Sequence, residues 1–439
     1  MKSNSEARVF RIGLAGLGTV GSSLYRHLKQ NRRLLEERTG FAFDVPRVAV
    51  RDLSRRRSVE VPESELTSNW RELVEDPSID VIVELMGGID EPLLLVRAAL
   101  AAGKPVVTGN KALLAEHGAE IFALAAKTGV PVFYEAAVAG GIPVIKAVRE
   151  SLVGNHITSI HGIINGTSNY ILTRMAEAGL DFRSALAEAQ KKGYAEATPT
   201  LDINGWDAAH KAIILASLSY GYWMNAADIR VEGIEKVGAQ DIVYAAKLGY
   251  GIKLVAVIKT DNEGMVETRV QPSLVPKEHI LASVRGVHNA IVAEGDMVGQ
   301  VMFFGPGAGG DATASSVVSD LVDAAHALRG EPRNAGFVSH GLYGKTKPSG
   351  ETVSEFYLRI PVNDQPGVIA GIAGILATRS IGIAAMVSLP PSEMPEGKFT
   401  EVIFLTHEAR LDEILAANLE IARLAYVTEA PVCLRVERI

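Results

Sequence analysis

A strand–turn–helix signature near the start of the chain constrains the fold more than any other feature. The stretch VFRIGLAGLGTVGSSLYRHL places a G-x-G-x-x-G pattern directly after an apolar strand and at the opening of a helix. Such glycines allow a tight turn, close approach of the backbone to a pyrophosphate and close packing of the helix on the strand. The alternative is a plain packing turn without a ligand. The setting favours dinucleotide binding by the turn residues Gly16, Leu17, Gly18, Thr19, Val20 and Gly21.

The order of apolar runs divides the chain into regions. Strands alternate with helical patterns over residues 1–135, which predicts an α/β fold with a Rossmann-type doubly wound parallel sheet, completed by about residues 305–330. Residues 136–304 are more helical and predict a separate α+β domain. Residues 331–352 are rich in Gly, Pro, Ser and Lys, as in a linker. Residues 353–439 read strand, helix, strand, strand, helix, strand, the order of a ferredoxin-like module.

Composition limits the class of protein. The net charge is -7, and apart from the run RDLSRRR no basic stripe supports nucleic-acid binding. A single cysteine, Cys433, allows no disulfide within the chain and no cysteine-based metal site, which fits a reducing cytoplasm. No run of about 18 apolar residues is present. We therefore expect a cytoplasmic protein with neither membrane nor nucleic acid as a partner.

The end of the second strand bears on which nicotinamide cofactor is bound. An acidic residue there accepts the ribose hydroxyls of NAD, but this chain has Arg51 followed by Asp52. An arginine at this point can bind the 2′-phosphate of NADP, so NADP is favoured and NAD stays possible. The alternative is that Arg51 belongs to a solvated basic loop.

The stretch TLDINGWDAAHKAIILASL predicts a helix from Ala208 onward that carries Asp207 and, one turn later, Lys211. A surface ion pair would explain these two residues alone. The preceding loop adds Glu196 and Asp202, and Lys111 follows a strand of the first region, at the sheet edge where ligands bind. This set favours chemistry over a surface role.

At these residues the sequence resembles homoserine dehydrogenase of the long bacterial type. The resemblance is carried by GTVG, VELMGG, TGNKALLA, YEAAVAGGIPVI, GIINGTSNYIL, KKGYAEATPTLDINGWDAAHK and GPGAGG, in that order over most of residues 8–330. It implies interconversion of L-homoserine and L-aspartate 4-semialdehyde with a nicotinamide cofactor, by a homodimer or homotetramer. It also implies that residues 136–304 are the substrate-binding, catalytic and dimerisation domain. One departure is Thr198, where the family usually has an aspartate before the proline.

The resemblance also implies roles for individual residues. Lys211 is the proton donor and acceptor, with Asp207 beside it. Substrate binding falls to Glu196, Asp202, Asp207 and Lys111. Lys111 lies where substrate meets nicotinamide, while Gly193 and Gly305 border the cofactor. A monovalent cation, Na⁺, is expected at Glu135 and the backbone carbonyls of Val138, Gly140 and Ile142, although a glycine-rich turn needs no ion.

The last region resembles an ACT domain, an amino-acid-sensing module. Asn363 and Asp364 follow its first strand and are expected near an effector, by resemblance L-threonine. A packing module without a ligand is the alternative.

Two other functions compete with this interpretation. A semialdehyde dehydrogenase needs a cysteine nucleophile, and Cys433 lies far along the chain in the terminal module. A non-catalytic NADP-binding amino-acid sensor would keep the glycine turn and lose the Lys211 set, which is intact in this chain.

Overall fold

The computed structural model describes residues 8–331, 336–388 and 400–439. Its contacts divide the chain into two compact units. Unit 1 comprises Met1–Ile160, His210–Ala226 and His288–Tyr343, and unit 2 comprises His161–Ala209, Ala227–Val287 and Gly344–Ile439. No helix in the described part of the chain is long and apolar enough to cross a membrane.

Both units contain β-strands, which are numbered in chain order. They are β1 Arg8–Ala15, β2 Phe41–Ala49, β3 Leu66–Thr67, β4 Val81–Glu84, β5 Val106–Thr108, β6 Val132–Phe133, β7 Ile157–Ile163, β8 Arg230–Val231, β9 Tyr250–Thr260, β10 Val266–Pro276, β11 His288–Gly295, β12 Gly299–Pro306, β13 Val353–Val362, β14 Ile383–Ser388, β15 Thr400–Thr406, β16 Ala409–Arg410 and β17 Val432–Val436.

The α-helices follow in the same order. They are α1 Thr19–Gln30, α2 Arg32–Thr39, α3 Arg71–Glu75, α4 Asp90–Ala101, α5 Lys111–Thr128, α6 Val144–Lys146, α7 Gly166–Ala178, α8 Phe182–Lys191, α9 Thr200–Ile203, α10 Trp206–Tyr220, α11 Ala239–Lys247, α12 Gly310–Leu328, α13 Val368–Thr378 and α14 Leu411–Ile421.

Unit 1 contains a six-stranded sheet in the order β3-β2-β1-β4-β5-β6. Its neighbouring strands pair in parallel. Parallel pairing requires that strands which follow one another in the chain are joined by crossover connections. This is the doubly wound Rossmann order, as the sequence predicts. The core of the sheet also contains Ala314, Val317 and Leu321 from α12, so this late helix packs with the first strands. In the same unit β11 and β12 form an antiparallel pair.

Unit 2 contains a run of strands in the order β9-β10-β17-β13-β15-β14. The two eleven-residue strands β9 and β10 pair antiparallel along their length, and β17 pairs in parallel with β10. Within the last region, β13, α13, β14, β15, α14 and β17 place their strands in the order β17-β13-β15-β14, as in a ferredoxin-like fold. A separate apolar core, including Phe356, Ile372 and Ile414, lies between these strands and helices.

A buried charge cluster joins β10 to β17. The Arg269 guanidinium donates to both carboxylate oxygens of Glu437, at 2.6 and 2.8 Å, and its Nε donates to Glu267 at 2.7 Å. Arg435 lies 3.6 Å from Glu267 and donates to Ser354 at 2.7 Å. Because these charged side chains are almost fully buried, each depends on its partners in place of water.

The predicted linker makes tertiary contacts along part of its described length, while Val338 and Leu342 within it are exposed. Residues 332–335 lie outside the described residues. In unit 1, Tyr134 donates to the carbonyl of Gly336 at 3.1 Å, and in unit 2 Lys347 lies 2.7 Å from Asp261. The units also group residues 353–439 with 161–209 and 227–287. The domain boundaries at 135, 304 and 352 are sequence predictions, and compactness alone does not reproduce them.

Candidate active site

The glycine turn after β1 has the shape that a dinucleotide requires. Gly16 has φ +103, and a Cβ there would lie 2.4 Å from the carbonyl oxygen of Leu85. A Cβ at Gly21 would lie 2.1 Å from the carbonyl oxygen of Gly16. At Gly18, in contrast, a Cβ would meet nothing within 4 Å. Gly16 and Gly21 therefore allow close packing, while Gly18 leaves space in front of α1.

The N-terminus of α1 is suited to an anion. Gly18 is the N-cap residue and supplies no side-chain hydrogen bond, and the first turn carries no acidic residue. The amides of this turn can therefore donate to a phosphate. Thr19 is exposed, whereas Leu17 and Val20 pack against the core of the sheet and fix the turn from behind. The residues present fit a dinucleotide pyrophosphate.

In the loop after β2, Arg51 and Asp52 have different surroundings. Arg51 is exposed, two residues beyond the strand. Asp52 is occupied, because its Oδ1 accepts from the Ser54 amide at 2.9 Å and from the Ser54 hydroxyl at 2.6 Å. These hydrogen bonds to the hydroxyl and the amide hold the pKa of Asp52 below its ordinary value. The Asp52 carboxylate thus binds within its own loop, and Arg51 is an exposed positive charge close to the strand end.

A buried polar chain supports the carboxyl edge of the unit 1 sheet. Glu84 ends β4 and is fully buried, which raises the pKa of its carboxyl group. It accepts from the Thr108 hydroxyl at 2.6 Å and from the Met86 amide at 2.9 Å. Asn110 caps α5 by accepting from Leu113 at 3.1 Å. Sequence reasoning missed Glu84; the signal was an acidic residue that ends an otherwise apolar strand.

Lys111 is the first residue of α5 and directly follows this chain of hydrogen bonds. The side chain of its neighbour Asn110 also donates to the carbonyl of Gly88 at 2.8 Å. The backbone around Lys111 is therefore held from two sides at the edge where open α/β sheets bind ligands.

In unit 2, one amide side chain connects two of the predicted substrate residues. Asn165 donates through Nδ2 to Asp202 Oδ1 at 2.7 Å and to Asp207 Oδ2 at 2.8 Å. Its Oδ1 accepts from the Ser168 amide at 2.7 Å and so caps α7. The Ser168 hydroxyl donates to the Asp202 carbonyl at 2.8 Å. The structure thereby brings Asp202 and Asp207 together, as expected of residues that act in one site.

The predicted helix with Asp207 and Lys211 is α10, and these two residues lie one turn apart near its start. Asp207 is 9 % exposed and Lys211 is 8 % exposed. An ordinary surface ion pair would be solvated, so burial argues against that alternative. His210, 9 % exposed, is a further polar residue of this turn that sequence reasoning passed over.

Glu196 and Gly193 lie in the loop between α8 and α9. Both are exposed, and Gly193 has φ +75, a left-handed conformation that suits glycine. The Thr167 hydroxyl donates to the carbonyl of Tyr194 at 2.8 Å, which ties this loop to the start of α7. In unit 1, Gly305 lies in β12, where an added Cβ would be 3.3 Å from Ile142.

The residues expected to hold a cation surround a tight turn in unit 1. The carboxylate of Glu135 is buried and accepts from the amides of Ile145 at 2.9 Å and Lys146 at 2.8 Å. Burial raises the pKa of Glu135. Ala139 and Gly140 both have φ +54. Among residues 8–331, 336–388 and 400–439, no group of three or more His, Cys, Asp or Glu side chains is arranged for a metal.

The carbonyl oxygens of this turn also make internal hydrogen bonds. Gly140 accepts from the Ser316 hydroxyl at 2.6 Å, and Ile142 accepts from the Val144 amide at 2.8 Å. Val138 is fully buried. Each carbonyl oxygen has two lone pairs, so one hydrogen bond leaves it able to coordinate an ion as well.

Comparison with known proteins decides the family. The family model for homoserine dehydrogenase matches residues 143–322, and the model for the homoserine dehydrogenase NAD-binding domain matches residues 16–135. The homoserine dehydrogenase of Pseudomonas aeruginosa is 42 % identical, covering 98 % of this chain and 99 % of its own. That of Synechocystis sp. is 41 % identical over 97 % and 99 %.

The chain belongs to the homoserine dehydrogenase family. Its fold agrees with the crystal structure of a homoserine dehydrogenase from Thiobacillus denitrificans, with a TM-score of 0.92, 40 % identity and 98 % of each chain covered. A hyperthermophilic archaeal homoserine dehydrogenase, solved in complex with NADPH, gives a TM-score of 0.60 at 29 % identity, over 74 % of this chain and 99 % of that one. The chain is therefore an oxidoreductase with an NAD(P)-binding domain.

The competing chemistry of a semialdehyde dehydrogenase finds no support in this family member. Cys433 lies on β17, where burial raises the pKa of its thiol to about 12. A thiol of this kind is not the thiolate that such an enzyme needs.

Proposed function

We propose that Lys211, Asp207, Asp202, Glu196 and Lys111 carry out the reaction of the family in this chain, the interconversion of L-homoserine and L-aspartate 4-semialdehyde. The observation that carries the proposal is the burial of Asp207 and Lys211 on one turn of α10, with Asp207 held by Asn165. Two charged side chains are kept out of water at a helix start only when other groups of the fold compensate them.

Each of these residues has a role that fits its chemistry. The bound nicotinamide cofactor supplies or accepts the hydride. Lys211 gives a proton to the developing alkoxide in the reduction and removes it in the oxidation, and its ammonium stabilises the charge on oxygen. Asp207 positions Lys211 and binds substrate. Glu196 and Asp202 provide negative charge for the substrate ammonium group. Lys111 binds substrate at the point where it meets the nicotinamide.

The cofactor in this proposal is NADP, with NAD as a weaker alternative. Arg51 is exposed at the end of β2, while the neighbouring Asp52 is engaged with Ser54. An arginine can bind a 2′-phosphate with two parallel hydrogen bonds, and an engaged aspartate is a poor acceptor for the ribose hydroxyls of NAD. By family resemblance Gly193 and Gly305 border the cofactor, and neither carries a side chain that would block it.

A monovalent cation, Na⁺ by family resemblance, belongs with Glu135 and the carbonyls of Val138, Gly140 and Ile142. Two observations support it. These oxygen donors suit a hard cation. The buried Asp320 also accepts from the Glu135 backbone amide at 2.8 Å, and burial together with the Glu135 charge raises the pKa of Asp320 well above its usual value, against the opposing effect of Lys146. A cation would offset the repulsion between these two carboxyl groups.

Threonine regulation is proposed for the ferredoxin-like module of residues 353–439, acting as an ACT domain in a homodimer or homotetramer. Asn363 and Asp364 are exposed just before α13. A substrate-like amino acid has a carboxylate for the helix N-terminus and an ammonium group for Asp364. β14 lies at the end of the strand order of this sheet. Its Ile383 and Met386 expose apolar surface that a second copy of the chain would cover.

The test of the catalytic assignment is a spectrophotometric assay of NADPH consumption with aspartate semialdehyde. Lys211→Ala should lower turnover by about a hundredfold or more, the scale of a lost general acid, with NADPH binding unchanged. Lys127→Ala, at the exposed end of α5, is the matched control and should leave turnover unchanged. Near-normal turnover by Lys211→Ala would remove Lys211 from the mechanism. An unmodified chain that binds NADPH without turnover would favour the amino-acid sensor.

A further inference from the structure

Asn165 is fixed in its orientation by the helix that it caps. It follows β7 and is 3 % exposed, and its Oδ1 accepts from the Ser168 amide at 2.7 Å. An inverted amide would point an N–H group at this N–H donor. The amino group of the side chain must therefore point away from α7, toward the loop that precedes α10.

Both hydrogens of that amino group are used, and each goes to a different carboxylate. Nδ2 donates to Asp202 Oδ1 on α9 at 2.7 Å and to Asp207 Oδ2 on α10 at 2.8 Å. The two accepting oxygens are consequently no more than about 5.5 Å apart. Two carboxylates this close disfavour each other's charged form, whereas donated hydrogen bonds favour it. Through its two hydrogen bonds, Asn165 thus favours the ionised form of both carboxylates.

We propose that Asn165 is a positioning residue for homoserine, which holds Asp202 and Asp207 ionised and aimed at the substrate ammonium group. The proposal rests on the proposed function, because it takes these two aspartates as substrate ligands. Asn165 itself need not touch substrate. It acts by setting the charge and direction of the two side chains that do.

Asn165→Asp tests this directly, because aspartate caps a helix as well as asparagine does and has nearly the same size. It replaces the amino group by an oxygen atom and so places a third carboxylate group beside Asp202 and Asp207. KM for homoserine should rise at least about tenfold, with a smaller change in kcat and an unchanged KM for NADP. The acidic limb of kcat/KM for homoserine should move to higher pH by about one unit, because added negative charge raises carboxyl pKa values.

Asn165→Ser is the second variant, since serine also caps a helix and adds no charge. It should raise KM for homoserine and move the acidic limb to higher pH by less than Asn165→Asp does, because it removes the two donated hydrogen bonds but adds no negative charge. The control is Asp181→Asn, which exchanges the same two side-chain types in the opposite direction at the start of α8. Asp181 is exposed there and accepts from the Ser184 amide at 2.7 Å. Its kinetics should match those of the unmodified enzyme.

The outcomes separate this inference from the proposal beneath it. Asp202→Asn and Asp207→Asn are assayed in parallel for KM toward homoserine. If both raise KM while Asn165→Asp leaves KM and the pH profile unchanged, Asn165 is only a helix cap and the inference is overturned. If none of the three changes KM, Asp202 and Asp207 are not substrate ligands, and the inference that rests on them is overturned as well. If Asn165→Asp lowers the melting temperature and weakens homoserine and NADP alike, the residue is structural and the inference is also overturned.

Discussion

The buried pair of Arg269 and Glu437 makes a quantitative prediction for the stability of unit 2. Glu437→Gln keeps the shape of the side chain and removes its charge, which leaves Glu267 as the direct carboxylate partner of Arg269 among the described residues. Breaking a buried ion pair from one side typically costs about 3 to 5 kcal/mol, because the remaining charge is left without compensation.

The titration of Glu437 gives a second route to the same magnitude. The Arg269 charge and its hydrogen bonds, acting against burial, lower the pKa of Glu437 from its ordinary 4.5 to about 2. At about 1.4 kcal/mol for each unit of pKa, the ionised form contributes on the order of 3 kcal/mol to folding. Since the folded pKa is the lower one, this contribution is present above pH 4.5 and is lost as the pH falls toward 2.

The assay is hydrogen exchange of peptides from β10, together with urea unfolding at pH 7. Glu437→Gln should lower the free energy of unfolding by about 3 kcal/mol. The double variant Arg269→Met/Glu437→Leu should recover much of this, because it removes one buried charge of each sign and leaves Glu267 beside Arg435. Glu355→Gln on β13 is the control, since its partner Arg438 is exposed, and it should change stability little. A loss below about 1 kcal/mol for Glu437→Gln, or a double variant less stable than either single one, would refute the reasoning.

Three further predictions concern cofactor choice, acid sensitivity and regulation. Arg51→Ala should raise KM for NADPH about tenfold or more with little effect on NADH, whereas Arg56→Ala in the same exposed loop should change neither; equal losses for both cofactors would return Arg51 to a solvated loop. Burial lowers the pKa of His161 from 6.5 to about 4, so the unfolded chain takes up this proton first and the free energy of unfolding should fall by roughly 3 kcal/mol as the pH decreases from 6.5 to 4. His161→Gln should reduce that loss in urea unfolding measured across this pH range, and an unchanged pH dependence would contradict the prediction. Asp364→Ala should abolish inhibition by threonine while the activity without threonine stays unchanged, and persistent inhibition would place the effector elsewhere.

The sequence predicts those parts of the fold that local pattern determines. The glycines of the first turn and the alternation of strands with helices predict the parallel sheet of unit 1, and the element order of residues 353–439 predicts the strand order β17-β13-β15-β14. Both follow from rules for neighbouring elements. The pairing of β10 with β17 does not, because apolar periodicity says that a strand is buried but does not name its neighbour.

The same limit applies to the candidate site. Asp207 and Lys211 could be found from the sequence because they lie one helical turn apart. The role of Asn165 could not, since its two acceptors are 37 and 42 residues away and the choice depends on how α7, α9 and α10 fold together. The interval 331–352 resembles a linker because it lacks periodicity, yet its described residues make tertiary hydrogen bonds through backbone groups, which composition does not reveal.

The place of β17 in the sheet sets an order of events during protein synthesis. Arg269 on β10 and Glu437, just after β17, are 168 residues apart. At about 5 to 20 residues per second, a ribosome needs roughly 10 to 30 s to make the chain between them. Through that interval β10 lacks β17 beside Ser273 and Leu274, and Arg269 lacks Glu437. Unit 2 consequently exposes an unpaired strand edge while the chain is being made, and an edge of this kind is where chaperone protection against edge-to-edge aggregation acts.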